Sequence, residues 1–292
     1  MEHLNNMKRI CVLSTDNNPG YWFYLPIVAY YWQKFGWEVR CFMTRNVEGE
    51  CLDMILKTCN DAKLEFICHT IPDIEGVRPN TLAQTVRHFV ADVLPRDAYW
   101  QVQDIDLIPL KPWEPDLNAR TVWGFPEMTG GTFVPVHYTG MTGDKWYDLM
   151  GCTGDLKADM ERELKRNGRA YKEKWEDYWD TDWDILTQKI LPRRKEFTWV
   201  ERGMVSCGRF TVPKGRIDRC SIEVDPVTNA YSWGATKEQY KKIWVDAHCE
   251  NHNPSSPEKW KMIRSLLEEV FGEVPEWMDT HAKNHYEKYG VK

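Results

Sequence analysis

The chain has no C-x-x-C pair, no G-x-G-x-x-G turn, no G-x-x-x-x-G-K-[S/T] loop, no surplus of basic residues and no long apolar run. Each absence removes a class of function. Nine cysteines without finger or ribbon spacing argue against a structural zinc site, and Cys11, Cys41 and Cys68 fall inside apolar runs that read as reduced core positions. The first strand-to-helix turn, Ser14-Thr15-Asp16-Asn17-Asn18-Pro19-Gly20, lacks the glycines that let backbone approach a pyrophosphate, and no phosphate nest for ATP or GTP exists elsewhere. Phosphate, if bound, must be held by other means. A net charge of −6 provides no field for nucleic acid or an anionic membrane. The longest uncharged run, Asn17 to Gln33, is interrupted by Pro19 and Pro26 and reads as a core helix, not a membrane span. No charged leader with an apolar segment opens the chain, so a cytoplasmic location without secretion is expected.

What is present is an alternation of strand and helix signals. With 42% apolar residues and 15 tryptophans, 292 residues suffice for a large packed core. Strands are predicted at Arg9 to Thr15, Glu38 to Thr44 and Leu64 to Thr70, with helices at Tyr24 to Phe35 and Cys51 to Asn60. Asn80 is the predicted cap of a helix running to about Leu94, which delivers the chain into a fourth strand. Strands joined by helices imply parallel crossovers and an α/β fold. Beyond Pro112 the pattern weakens: Thr121 to Pro126 and Val134 to Tyr138 read as strands around a Gly130-Gly131 turn, and Asp155 to Tyr178 as one charged helix. Later come a short helix from Asp182 to Leu191, a strand from Ile243 to Ala247 and a helix from Pro257 to Phe271.

The chemistry centres on the stretch Ala98 to Pro109. An aromatic and β-branched run rises from Pro95 and ends in Asp104-Ile105-Asp106 before Pro109 and Pro112 stop it. Side chains alternate along a strand, so Asp104 and Asp106 are expected on one side, able to converge on a hard divalent cation that also binds a diphosphate. An acid-x-acid triplet is also common in plain loops. Its place at the end of an apolar strand, where α/β sheets bind ligands, gives it weight.

The order of an α/β first half, a helix bearing Arg87, the strand into Asp104-Ile105-Asp106 and a late His248 resembles the GT-A class of nucleotide-sugar glycosyltransferases. The resemblance implies a Rossmann-like nucleotide-binding half with a mixed sheet, at about 8–112, followed by an acceptor lobe within the same 1–292 domain, at about 113–292. It implies Mn²⁺ or Mg²⁺ on Asp104, Asp106 and His248, an Arg87 contact to the donor, and transfer from a UDP-sugar to a glycan hydroxyl. The placing of Arg87 is similar to that in the retaining branch typified by bacterial lipopolysaccharide galactosyltransferases. The phrase Asp182-Trp183-Asp184-Ile185-Leu186-Thr187 is similar to that branch's D-Q-D-x-L-N segment, with Trp183 in place of Gln and Thr187 in place of Asn. Retention of configuration therefore does not carry over.

Weighed as residues, Asp182 and Asp184 are either acids at a helix start, where they meet the helix dipole, or catalytic groups facing an acceptor. Of the two, Asp182 is the first choice. His248 ends a strand before a loop, where a neutral imidazole suits Mn²⁺, and His252 is the lesser candidate. Thr15 and Asp16, at the end of the first strand, are the expected readers of base and ribose, with Tyr21 as a stacking partner. Trp179 and Trp183 stand four apart beside the two acids and fit the C–H face of a sugar. The segment His137 to Gly143 is either a close approach to the donor sugar or a hairpin turn. Two rivals remain. A sugar-phosphate nucleotidyltransferase would use a similar half but a Gly-rich loop with a lysine, absent here; a non-catalytic carbohydrate-binding protein would need only the tryptophans.

Overall fold

Residues 7–65, 67–124, 134–201, 204–207, 210–213, 216–217, 245–249 and 251–290 are described by a computed structural model. The central feature is a seven-stranded mixed sheet in the order β3-β2-β1-β4-β7-β6-β8. Strand β1 (Arg9–Thr15) pairs in parallel with β2 (Glu38–Thr44) and β4 (Tyr99–Val102), and β2 pairs in parallel with β3 (Ile67–Ile71). The expected parallel half is therefore present. Strand β7 (Thr139–Thr142) runs antiparallel to β4 and to β6 (Thr121–Gly124), and β8 (Thr198–Glu201) runs parallel to β6.

Strand β1 is covered on both faces, which is why it reads as a continuous apolar run. Cys11 and Leu13 face one core cluster, shared with helix α2 (Leu25–Lys34), while Ile10 and Val12 face the other. Helix α1 (Pro19–Trp22) precedes α2, and its N-cap Asn18 accepts a hydrogen bond from Gly20. Helix α3 (Gly49–Asp61) connects β2 to β3, and α4 (Pro79–Val86) follows β3. Chain order now explains the crevice: β1, β2 and β3 step outward in one direction, then the chain returns to place β4 on the other side of β1.

Several sequence expectations are corrected. Strand β4 stops at Val102, so Asp104 and Asp106 lie in a turn and not in the strand; the Gln103 carbonyl accepts from Arg87 Nη1 at 2.8 Å instead of continuing the ladder. Pro79 starts α4, with Asn80 inside the first turn, and the helix tightens after Val86 into a short 3-10 turn at Val90–Asp92 instead of running to Leu94. Val134 to Tyr138 is not a strand, because Tyr138 adopts a left-handed φ of 59° and Thr139 N–H closes a turn onto Val136. His137 to Gly143 is no hairpin turn either, since β7 occupies its centre and Gly140 packs on the Tyr99 ring. The charged stretch breaks at Gly168 (φ 74°) into α6 (Leu156–Asn167) and α7 (Trp175–Tyr178), after α5 (Gly143–Met150). Cys68 is exposed, unlike Cys11 and Cys41. Gly130 and Gly131, and Ile243 and Trp244 of the predicted late strand, lie outside the described residues.

Helix α8 (Thr181–Ile190) packs against α4, and α9 (Pro257–Phe271) keeps the predicted bounds. Helix α10 (Glu276–Tyr289), unpredicted, docks its buried His281 and His285 on the backbone carbonyls of Phe23 and Pro19 at 2.9 and 3.0 Å. Strands β9 (Met204–Cys207) and β10 (Phe210–Pro213) form an antiparallel pair. A small second sheet joins β11 (Arg216–Ile217), β12 (Asp246–His248) and β5 (Leu107–Pro109), with His248 opposite Leu107. No helix among the described residues is long and apolar enough to cross a membrane.

Candidate functional site

A cavity of about 290 Å³ opens at the carboxyl ends of β1 and β4, where the chain order reverses. Such a switch point is the usual ligand crevice of an open α/β sheet. The end of β1 contributes Ser14, Thr15 and Asp16, and the adjoining turn contributes Tyr21. Ser14 Oγ donates to the Ala83 carbonyl at 2.5 Å, which fastens β1 to α4. Tyr21 is set by Asn251, whose Nδ2 donates to the phenol oxygen at 2.6 Å, and by Gly20, where a Cβ would overlap the Asn251 carbonyl. Burial raises the Asp16 carboxyl above its ordinary range.

Helix α4 presents Asn80, Ala83, Gln84 and Arg87 to the cavity. These lie at i, i+3, i+4 and i+7, one helical face. Arg87 is 5% exposed and joins three segments: Nε donates to the Gln84 carbonyl at 3.1 Å, Nη1 to Gln103 O at 2.8 Å and Asp104 Oδ1 at 2.7 Å, and Nη2 to Asp182 Oδ2 at 3.0 Å. Four of the five guanidinium N–H groups are thereby engaged within the protein. Burial opposes the charge on Arg87, but the two carboxylates more than offset it and raise its pKa.

Asp104 and Asp106, one residue apart, have different surroundings. Asp104 has Arg87 at Oδ1 and His137 Nδ1 at 3.3 Å from Oδ2. Burial alone would raise its pKa, yet Arg87 and His137 hold it well below the usual carboxylate range. His137, pushed down to about 4 chiefly by burial and then by Arg216, is neutral near pH 7. Asp106 is fixed by its backbone, since Cys249 N–H donates to its carbonyl at 2.8 Å. The pairing of β12 with β5 brings His248 Nε2 to 3.5 Å from Asp106 Oδ2. A carboxylate and an imidazole lining one cavity are a donor set that suits Mn²⁺, and Asp106 and His248 fit such an ion, with Asp104 beside them. The donor atoms of all three do not lie within 4.8 Å of one another among the described residues.

From the junction of α7 and α8 come Trp179 and Asp180, and from α8 come Asp182 and Trp183. Asp182 is 1% exposed, and burial, outweighing Arg87, pushes its carboxyl up to about 6. Asp184 is a correction: it is absent from the cavity lining and instead accepts from Asn167 Nδ2 at 2.7 Å. Trp179 and Trp183 do not share one continuous helix, because Asp180 between them leaves helical geometry (φ −91°, ψ 24°), yet both reach the cavity. His252 is not part of the lining. Asn80, Gln84 and Asp180 were missed from sequence. The first two carry a signal, the helical spacing back from Arg87; Asp180 carries none.

No protein-family model matches the sequence, and no curated protein matches it. Solved structures do. The chain is similar to the galactosyltransferase LgtC in complex with donor and acceptor sugar analogs, at 13% identity over 93% of this chain and 99% of that one, with a TM-score of 0.47. It is likewise similar to an active-site mutant of LgtC, at 13% identity and a TM-score of 0.45, again over 93% and 99%. The third is the glycosyltransferase GlyE of Streptococcus pneumoniae TIGR4, at 11% identity and a TM-score of 0.47, where 97% of this chain covers 64% of the other. All three are glycosyltransferases.

Chemically, the cavity sets five carboxylates, Asp16, Asp104, Asp106, Asp180 and Asp182, against one guanidinium. That arrangement suits a neutral or cation-accompanied ligand with hydroxyl groups. Its lining also includes the aromatic rings of Tyr21, Trp179 and Trp183.

Proposed function

We propose that this protein is a glycosyltransferase that moves a sugar from a nucleotide diphosphate donor, a UDP-sugar, to a hydroxyl of a glycan acceptor, with Mn²⁺ or Mg²⁺ as cofactor. The observation that carries the reading is the gathering of Arg87, Asp104, Asp106, Asp182 and His248 around one cavity at the sheet's switch point, beside Thr15, Asp16 and Tyr21. These residues come from five separate segments, so no local turn or cap accounts for their meeting.

Thr15 and Asp16 hydrogen-bond the base and ribose, and Tyr21 stacks on the base. When bound by Asp106 and His248 with Asp104 alongside, a divalent cation supplies positive charge where the diphosphate departs. Arg87 adds to that charge through its remaining N–H and, more importantly, holds Asp104 and Asp182 in place. In the transfer the bond from the anomeric carbon to the diphosphate oxygen breaks, a bond to the acceptor oxygen forms, and the acceptor proton passes to the departing diphosphate. Asp182, buried behind Arg87, faces the positive character that develops on the sugar.

Calorimetric titration with UDP, GDP, dTDP and CMP, each with Mn²⁺ and with chelator, tests this. Metal-dependent binding of one diphosphate, weakened at least 10–100-fold in Asp106→Ala, is expected. Absence of nucleotide binding under every condition overturns the reading.

A further inference from the structure

An aromatic row runs out of the cavity from Tyr21, the ring assigned to the donor base, through Trp179 to Trp175, which the donor does not use. Trp175, on α7, is 53% exposed and stacks on Trp179 with ring centroids 5.1 Å apart and planes at 30°. Trp179 continues inward to Tyr21, 6.3 Å away at 33°. Trp179 and Tyr21 line the cavity, whereas Trp175 stands outside it. One face of Trp175 is covered by Trp179, and the exposure belongs to the remainder of the ring.

This tryptophan is not there to support the fold. Helix α7 buries none of its residues. The segment is held by polar tethers instead: Arg78 donates to the carbonyls of Lys172 at 2.6 Å and Glu173 at 3.2 Å, its guanidinium lies 4.2 Å from the Tyr178 ring centroid, and Arg169 Nε donates to Asp177 O at 2.8 Å. Two arginines thus fix the backbone of a helix whose largest side chain is left in solvent. The fixed element carries that ring five residues ahead of the half-buried Asp180, which lies in the cavity wall.

We propose that Trp175, backed by Trp179, is a stacking subsite for a neutral pyranose ring of the acceptor glycan, with Asp180 accepting hydrogen bonds from its hydroxyls. The proposal rests on the glycosyl-transfer reading above and adds the class and seat of the acceptor. A pyranose presents a face of C–H groups with partial positive charge to the negative face of an indole, and keeps its hydroxyls at the rim for carboxylates. An acidic sugar or a phosphate-bearing acceptor is disfavoured, because the adjoining lining places five carboxylates against Arg87. A tryptophan already stacked on a second ring is also pre-organised, so little side-chain freedom is lost on binding.

The test is saturation-transfer NMR and titration of the full chain with lactose, maltose and cellobiose, in parallel with UDP plus Mn²⁺. Binding of at least one disaccharide through its ring C–H protons is expected, weakened roughly tenfold in Trp175→Ala, the size of one aromatic contact, and largely kept in Trp175→Phe. UDP affinity and the urea midpoint are expected to match the natural chain in both variants. Disaccharide binding that survives Trp175→Ala unchanged, or that is absent from the natural chain while UDP binds, overturns the subsite and leaves the donor reading intact. Loss of UDP affinity in Trp175→Ala overturns it as well, since the ring then serves the nucleotide. Failure of UDP to bind the natural chain is read separately, and sinks the donor reading and the acceptor role with it.

Discussion

Two carboxylate pairs flank the segment that leaves α4, and they differ in where their counter-charge sits. At the cavity, Asp104 and Asp182 meet across Arg87, which bonds to both. Near the 3-10 turn, Asp92 and Asp159 approach each other beside Cys152, their ligand atoms all within 4.8 Å, and Arg162 pairs with Asp159 and Glu163. With a cation between them, one carboxylate stays ionised far below its ordinary range and the other is moved only to about 6 although almost wholly buried. Without one between them, Asp92 is pushed up to about 6 although it is only partly buried, first by burial and then by Asp159. In both pairs one acid is thus held below its ordinary range and the other is raised to about 6, Asp159 being lowered, against burial, by Thr153 and Arg162; the shared cation reaches that split with the raised acid much more deeply buried.

The strongest way to break this contrast is Arg87→Met. It leaves the buried Asp182 and the partly exposed Asp104 without their shared counter-charge, a change that costs about 3–5 kcal/mol in fully buried ion pairs and less here. Urea unfolding at neutral pH should show that loss, and part of it should return in mild acid as one of the two acids takes up a proton. Metal-dependent nucleotide binding should fall with it. An Arg87→Met variant as stable as the natural chain at every pH would show that the guanidinium is not what holds the two acids.

The next largest effect separates the two acids of the Asp104-Ile105-Asp106 triplet. Asp104→Asn removes half of Arg87's charge balance and a partner of His137, so it should lower stability by about 1–3 kcal/mol as well as ligand affinity. Asp106→Asn touches only the His248 contact and should leave the unfolding midpoint nearly unchanged while weakening metal-dependent UDP binding roughly 10–100-fold. Equal losses of stability in the two variants would erase the distinction between an acid built into the wall and an acid facing the ligand.

How much of this was readable beforehand follows the range of the interactions. Strands β1 and β2 and helix α9 are legible from sequence because their apolar spacing and a Pro257 start act locally. The cavity residues Arg87, Asp104, Asp106, Asp182 and His248 follow from motif order, Thr15, Asp16 and Tyr21 from the end of the first strand, and the fold brings them to one lining. What escaped is what long-range partners decide. The Gln103 carbonyl is taken by a side chain 16 residues earlier, and Asp182 finds Arg87 from 95 residues away. Helix α10 buries only Met278, Ala282 and two histidines, so it gives no clear apolar stripe. Asp184 looked equivalent to Asp182 because both open the same helix, but two residues along a helix turn a side chain to a different face, and Asn167 takes it there.

The smallest effect concerns the pair without a shared cation. Asp92 ionises in the unfolded chain in the ordinary carboxylate range, at 3.8, and in the folded protein at about 6, so between these values the folded state binds more protons than the unfolded one. Stability from this site is therefore fully present below about pH 4 and is lost as pH rises through about 6. Because Asp92 is partly exposed, solvent screening keeps the effect to about 1 kcal/mol or less. Asp92→Asn abolishes the titration and keeps the acceptor oxygen that receives Gly154 N–H at 2.9 Å. The variant should match the natural chain in mild acid and become slightly more stable than it above neutrality, as read by urea midpoints across that range. A variant that loses stability at every pH would mean that the ionised Asp92 is favourably placed, and that an arginine on one acid of a pair is enough to serve both.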